Sequence, residues 1–264
     1  MLPSKASLFF FIISKFSQSR FYQSNFLFRQ LFENTSSTYT YILGDLESKE
    51  CIIIDPVLET VDRDVNLIKE LGLKLKYGVN THMHADHITG TKKIKSLIKT
   101  CKSVISLASG AQADIHVKDH DKILFGNEIL LARSTPGHTN GCMTYISHKH
   151  RMAFTGDTLL IRGCGRTDFQ EGSPEMLYDS IYDVIFTLPP DYLLFPAHDY
   201  KGIMATSVGE EKKYNPRLTK FKSQFIKIMQ DLNLPYPKQI DIAVPANKIC
   251  GVYEVLKQPN ITKT

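Results

Sequence analysis

The sequence predicts an α/β protein built as an αββα sandwich, and three observations lead there. Strand-like segments occur in both halves of the 264 residues. Helix-like segments fall between them. Histidine and aspartate recur where strands run out into small turn residues, which puts the chemistry at one end of layered sheets.

The elements follow in order from Thr38. Tyr39–Leu43 and Cys51–Ile54 read as paired strands, with Gly44-Asp45 near the turn and Asp55-Pro56 closing the second. Val61, Val65, Ile68 and Leu71 fall at helical spacing, and Gly72 is a stop signal. Tyr77–Asn80 is a short buried strand that delivers His82 at its end. Thr89–Lys99 reads as a second helix whose lysines form a solvated face. Strands follow at Val104–Leu107, Lys122–Phe125, Ile129–Ala132, Met143–Ile146 and Met152–Phe154. Ser173-Pro174 opens a helix through Phe186, with Glu175 suited to its positive N-terminal end. Leu193–Pro196 is a strand, and a helix is expected over Thr219–Leu232. Pro235 and Pro237 predict a short irregular tail.

Composition narrows the class. The net charge of +5 comes partly from the extreme N-terminus, and no basic run is interleaved with aromatics beyond it, so nucleic-acid binding has no support. Five cysteines, scattered and without a Cys-x-x-Cys pair, argue for a reducing compartment and against a disulfide scaffold or a cysteine-ligated zinc. Cys164 lies between Arg162 and Arg166, yet no histidine adjoins it or Cys250, and structural roles are expected for both. Residues 1–25 are basic, rich in Ser and Phe and free of acids, which predicts a mitochondrial transit peptide ahead of one domain over 26–264. A secretory signal is the rival reading, because Leu8–Ile13 is a short apolar core behind Lys5. That core is far too short to span a bilayer, and no membrane association is expected.

The chemistry is concentrated in a few motifs. Thr81-His-Met-His-Ala-Asp-His87 is followed by His138 in Thr-Pro-Gly-His-Thr, Asp157 in Phe-Thr-Gly-Asp-Thr and His198 in Phe-Pro-Ala-His-Asp. Imidazole and carboxylate donors suit Zn, Fe or Mn rather than a soft thiolate site. A lone His or Asp in a loop is ordinarily a surface or capping residue. An ordered set of five His and two Asp at strand ends is better explained by a metal cluster. His116, His120, His148 and His150 lack such context and read as surface residues.

This constellation resembles the metallo-β-lactamase superfamily, and the resemblance supports the αββα fold as much as the strand pattern does. Superfamily membership alone does not fix function. The flanking segments at 81–90, 159–170, 195–200, 215–218 and 243–247 look like the persulfide dioxygenase branch, over about Phe26 to Gly251. The resemblance implies one Fe(II) per subunit, held by His82, His138 and Asp157, a two-His-one-carboxylate triad with open positions. His84, Asp86, His87 and His198 would then hydrogen-bond waters and orient the ligands.

It further implies a sulfur dioxygenase that takes glutathione persulfide, O2 and water to glutathione and sulfite in the mitochondrial matrix. Oxidising the terminal sulfur to sulfite removes four electrons, the number O2 accepts, so no reducing cosubstrate is needed. Arg166, Tyr200 and Arg217 match the branch's glutathione-contacting positions, Arg162 is a weaker candidate, and a homodimer is implied. No catalytic side chain is expected beyond the metal site. The rival is a glyoxalase II-type thioester hydrolase, which uses Asp86, His87 and His198 for a second metal. That class carries a longer helical C-terminal region than the residues after Tyr200 provide here. A catalytically inert binding protein is a third reading, and the intact ligand set argues against it.

Overall fold

A computed structural model describes residues 25–251, so the expected transit peptide lies outside the described residues except for its last position. Two six-stranded sheets face each other. The first runs β1(Phe26–Glu33), β2(Thr38–Asp45), β3(Glu50–Ile54), β4(Lys74–Val79), β5(Lys102–Ser106), β6(Ile115–Val117) in spatial order. The second runs β12(Thr206–Ser207), β11(Leu193–Pro196), β10(Met152–Gly156), β9(Met143–Ser147), β8(Glu128–Ser134), β7(Lys122–Phe125). β3 to β6 pair in parallel, as do β10 and β11. The other pairings are antiparallel.

The apolar runs explain the layers. Side chains alternate across a strand, so a strand buried on both faces reads as a continuous hydrophobic run. In β3, Ile52 and Ile54 enter the core between the sheets, while Ile53 points to the opposite layer. The central core joins Tyr41 and Val79 of the first sheet to Phe125, Tyr145 and Phe154 of the second. Outside the first sheet, Ile42, Ile53 and Leu75 meet Val61, Val65 and Ile68 of α1(Val61–Glu70) and Ile94 of α2(Thr91–Leu97). Outside the second, Ile146, Ala153 and Leu194 meet Leu177 of α3(Pro174–Ser180) and Phe225 of α5(Lys222–Gln230). Each fully buried aliphatic side chain contributes about 1.5–3 kcal/mol over its exposed state. That is the αββα sandwich the sequence predicts.

Several elements depart from expectation. β1 pairs along its whole length with β2, although Phe26 to Gln30 has the composition of the leader before it. The helix from Pro174 starts as predicted, with Ser173 Oγ accepting from Met176 N. It changes to a π turn over Ile181–Ile185 before ending at Phe186. A short helix, α4(Val208–Tyr214), was not expected. α5 begins at Lys222 rather than Thr219, because Asn215 to Phe221 forms a turn in which Thr219 Oγ1 donates to Asn215 O. The irregular tail is corrected: beyond Pro237 the chain forms α6(Ile240–Lys248), with Pro245 inside it. All five cysteines are free, and all but the half-buried Cys250 are buried. Among the described residues no helix is long and apolar enough to cross a membrane.

Candidate metal centre

The expected ligands emerge at one rim of the sandwich. His82, His84, Asp86 and His87 lie on the loop after β4, His138 after β8, Asp157 after β10 and His198 after β11. Backbone bonds knit these ends together: Met143 N donates to Thr81 O at 2.9 Å, and Ala197 N to Gly156 O at 3.0 Å. Gly156 has φ +53°, and a Cβ there would lie 2.7 Å from Thr81 Oγ1. That close approach between the two sheets requires glycine.

The seven side chains fall into two groups whose donor atoms lie within 4.8 Å of one another: His82, His138 and Asp157, and His84, Asp86, His87 and His198. Asp157 Oδ2 is 3.6 Å from His138 Nε2 and 4.0 Å from His82 Nε2. Donors about 2.1 Å from one ion sit about 3.0–3.4 Å apart, so the observed spacing is close to what one ion requires. Asp157 Oδ1 is 3.7 Å from His198 Nε2, which itself lies 3.4 Å from Asp86 Oδ2.

Hydrogen bonds on the far side of the rings fix which nitrogens face inward. Thr81 Oγ1 donates its one proton to Asp55 Oδ2 at 2.8 Å. It therefore accepts from His82 Nδ1, at 3.0 Å, leaving the His82 Nε2 lone pair free. His84 Nε2 donates to Asp55 Oδ1 at 3.0 Å, leaving Nδ1 free. His138 Nδ1 donates to the Arg166 carbonyl at 2.7 Å. Among the described residues, the buried side-chain nitrogen and oxygen atoms left without a partner are His82 Nε2, His84 Nδ1, His87 Nε2, Asp157 Oδ1 and His198 Nε2, all from the two groups. Unpaired buried polar atoms are costly, and five converging at one place fit a bound cation.

Electrostatics agree for two of the histidines. Burial and neighbouring histidines hold His82 and His84 well below the usual imidazole range, so both are neutral donors. For His198 burial also lowers the pKa, but the Asp157, Asp86 and Asp55 carboxylates outweigh it and push it up to about 9. Burial would raise Asp86, yet His198 and His87 hold it well below the usual carboxylate range.

A sequence profile described as Metallo-beta-lactamase superfamily matches residues 34–198. The chain belongs to the metallo-β-lactamase superfamily. Within it, the chain is 60% identical over 226 residues to the Homo sapiens protein named persulfide dioxygenase ETHE1, mitochondrial, covering 86% of this chain and 89% of that one. It is 61% identical to the Mus musculus protein of the same name, over the same shares. Among solved structures, ETHE1 from Myxococcus xanthus is 47% identical with a TM-score of 0.83, covering 86% of this chain and all of that one. The chain is thus also a member of the persulfide dioxygenase family, and an oxidoreductase rather than a thioester hydrolase. A Staphylococcus aureus metallo-beta-lactamase, 23% identical at a TM-score of 0.81 over 90% of this chain and 75% of that one, shares the fold.

For a member of this family, the surroundings of the three substrate candidates are informative. Arg166 presents a filled fork, with Nε and Nη2 donating to the two Asp168 carboxylate oxygens at 2.7 Å each and Nη1 to Pro235 O at 2.9 Å. Its backbone carbonyl is the His138 acceptor, which ties it to the centre. Tyr200 is 74% exposed, and its ring lies parallel to His198 with centroids 6.2 Å apart. Arg217 is half-buried and donates to Cys164 O at 3.2 Å. Arg162 engages Glu210 and Glu211, which makes it structural. Cys164 is buried, burial pushes its thiol up to about 11, and it contacts Met229 rather than Cys250. His116, His120, His148 and His150 join neither group of metal-facing side chains.

Sequence reasoning missed Asp55 as a site residue. It closes β3 with φ +49°, is buried, and accepts from Thr81 N, Thr81 Oγ1 and His84 Nε2. Burial raises its pKa against the lowering effect of His82 and Thr81. The signal was present in an Asp-Pro pair at a strand end, which was read only as a stop.

Proposed function

We propose that the chain oxidises the terminal sulfur of glutathione persulfide with O2 at a single Fe(II) held by His82, His138 and Asp157. The observation that carries this reading is their convergence as a two-His-one-carboxylate group, with His82 Nε2 and Asp157 Oδ1 buried and without partners. When bound, Fe(II) supplies open coordination positions and accessible redox chemistry, which Zn(II) lacks. The overall reaction balances as glutathione persulfide, O2 and H2O giving glutathione, sulfite and two protons. Four electrons leave the terminal sulfur and O2 takes them.

The remaining side chains have defined tasks. Thr81 and the Arg166 carbonyl hold the His82 and His138 rings by their outer nitrogens, and Asp55 holds the His84 ring beside them. Asp86 and His198 lie 3.4 Å apart beside the triad, where the reaction consumes water and releases protons. Arg166 and Arg217 are the cations for the two glutathione carboxylates, and Tyr200 lines the approach. For Arg166 this means that a substrate carboxylate competes with Asp168. The second group, His84, Asp86, His87 and His198, would suit a two-metal hydrolase, but the relatives' names favour the dioxygenase.

Residues 1–25 are proposed as a transit peptide directing the protein to the mitochondrial matrix. The relatives are named mitochondrial, and β1 opens at Phe26. A homodimer is proposed as the assembly. The test is oxygen uptake by iron-loaded mature protein on adding glutathione persulfide, with sulfite quantified. Uptake with matching sulfite is expected. Its absence, with hydrolysis of S-lactoylglutathione by zinc-loaded protein, would move the assignment to the hydrolase.

A further inference from the structure

We infer that Asn247, on α6, is a positioning residue that clamps the metal-binding loop. Its side chain is buried on α6 and makes three hydrogen bonds, all to the loop backbone. Nδ2 donates to the carbonyls of His84 at 2.9 Å and His87 at 2.8 Å, and Oδ1 accepts from Thr89 N at 2.9 Å. One amide thus grips the loop on both sides of Asp86.

Only a side chain with two donors and one acceptor in fixed directions can do this. Aspartate has the same shape but would turn an acceptor oxygen toward two carbonyls. Alanine leaves three buried backbone groups without partners. The seat around the clamp is equally constrained. Gly251 has φ +79°, and a Cβ there would lie 2.2 Å from Thr89 O. Ile88 packs against Ala243 and Ala246 of α6, and Gln112 N donates to Lys248 O at 2.8 Å. Thr89 Oγ1 in turn donates to Asn80 Oδ1 at 2.8 Å, at the start of the same loop.

The consequence is geometric. His82, a ligand of the proposed site, leaves the same loop, and His84 Nδ1 and His87 Nε2 face the centre without partners, so the aim of all three depends on the backbone from which they project. Asp55 restrains the His84 ring from the other side, so the loop is held between the strand β3 end and α6. The inference rests on a metal occupying the proposed site, and not on that metal being iron.

The test uses cobalt(II), whose visible absorption reports coordination geometry. Metal-free full-length wild type, N247D, N247A and I240A are titrated anaerobically with cobalt(II), and their thermal midpoints are measured without metal. Ile240 is buried at the start of the same helix and serves as a destabilising control. Both Asn247 variants are expected to bind cobalt at least about tenfold more weakly, with shifted absorption bands. I240A should lose thermal stability while keeping wild-type affinity and bands. Wild-type affinity and spectrum in the Asn247 variants would overturn the clamp, and N247A decides alone should N247D not fold. An equal loss of affinity in I240A would also overturn it, since general helix stability would then be the cause. A wild type that binds no cobalt removes this inference with the metal site. One that binds cobalt but shows no iron-dependent oxygen uptake refutes only the dioxygenase reading.

Discussion

Replacing Asp55 with asparagine tests the centre more sharply than deleting a ligand, because the change is one atom and no ligand is touched. Asp55 Oδ1 accepts from Thr81 N and His84 Nε2, and Oδ2 accepts from the Thr81 hydroxyl that receives His82 Nδ1. If the asparagine amino group takes the Oδ1 place, it meets two donors. If it takes the Oδ2 place, the Thr81 proton loses its acceptor and turns toward His82 Nδ1. His82 is then driven to carry its proton on Nε2, the atom that must face the metal. Either orientation removes one or two charge-assisted hydrogen bonds of about 1.5–3 kcal/mol each. A total of about 2–5 kcal/mol lowers the thermal midpoint of the metal-free protein by about 5–15 °C. Disturbing an outer partner of a metal ligand typically weakens metal binding about 10–100-fold. Asp55→Asn should therefore show both effects in calorimetry and in anaerobic Fe(II) titration. Wild-type metal affinity in this variant would refute the argument that Asp55 sets the two tautomers.

Four further outcomes follow. His138→Ala or Asp157→Ala should abolish iron binding, and iron at full occupancy in both by elemental analysis would sink the triad. Arg217→Ala should raise the persulfide KM about tenfold, the cost of one charge-assisted contact, with iron content within error of wild type. Gly165→Ala places a Cβ 2.5 Å from Asp157 O and 2.7 Å from His138 Cγ, so it should weaken metal binding as a ligand variant does, although it removes no ligand. Glu33 tests acid stability. Burial would raise its pKa, but hydrogen bonds from Ser36 and Thr35 outweigh this and lower it to about 2. Its stabilisation is thus present above pH 4.5, its ordinary value, and is lost as the pH falls toward 2. Thermal midpoints of Glu33→Gln and wild type should differ at pH 6 and converge near pH 2.

The sequence revealed the candidate metal donors and the layers more readily than their supports. His82, His138 and Asp157 were legible because a rare combination of residues recurs at strand ends, and the run Cys51–Ile54 was legible because both its faces are buried. β1 was hidden because Arg29 and Gln30 on a half-buried edge strand resemble the basic leader. α4 is seven residues long and four of them are charged, too short to display a period. α6 was hidden behind Pro235, Pro237 and its own Pro245, which ordinarily break helices. Asp55 and Asn247 act on backbone and ring nitrogens from distant segments, and pairings over 26 to 163 residues leave no local pattern.

The donors of the first group come from both sheets: His82 follows β4 of one, while His138 and Asp157 follow β8 and β10 of the other. A bound ion is therefore a rivet across the seam between the two halves. Chains that never receive an ion should open first along that seam, exposing the aromatic interior around Tyr41, Phe154 and Phe195 to proteases. Metal supply would then govern how long each molecule survives, and not only whether it turns over substrate.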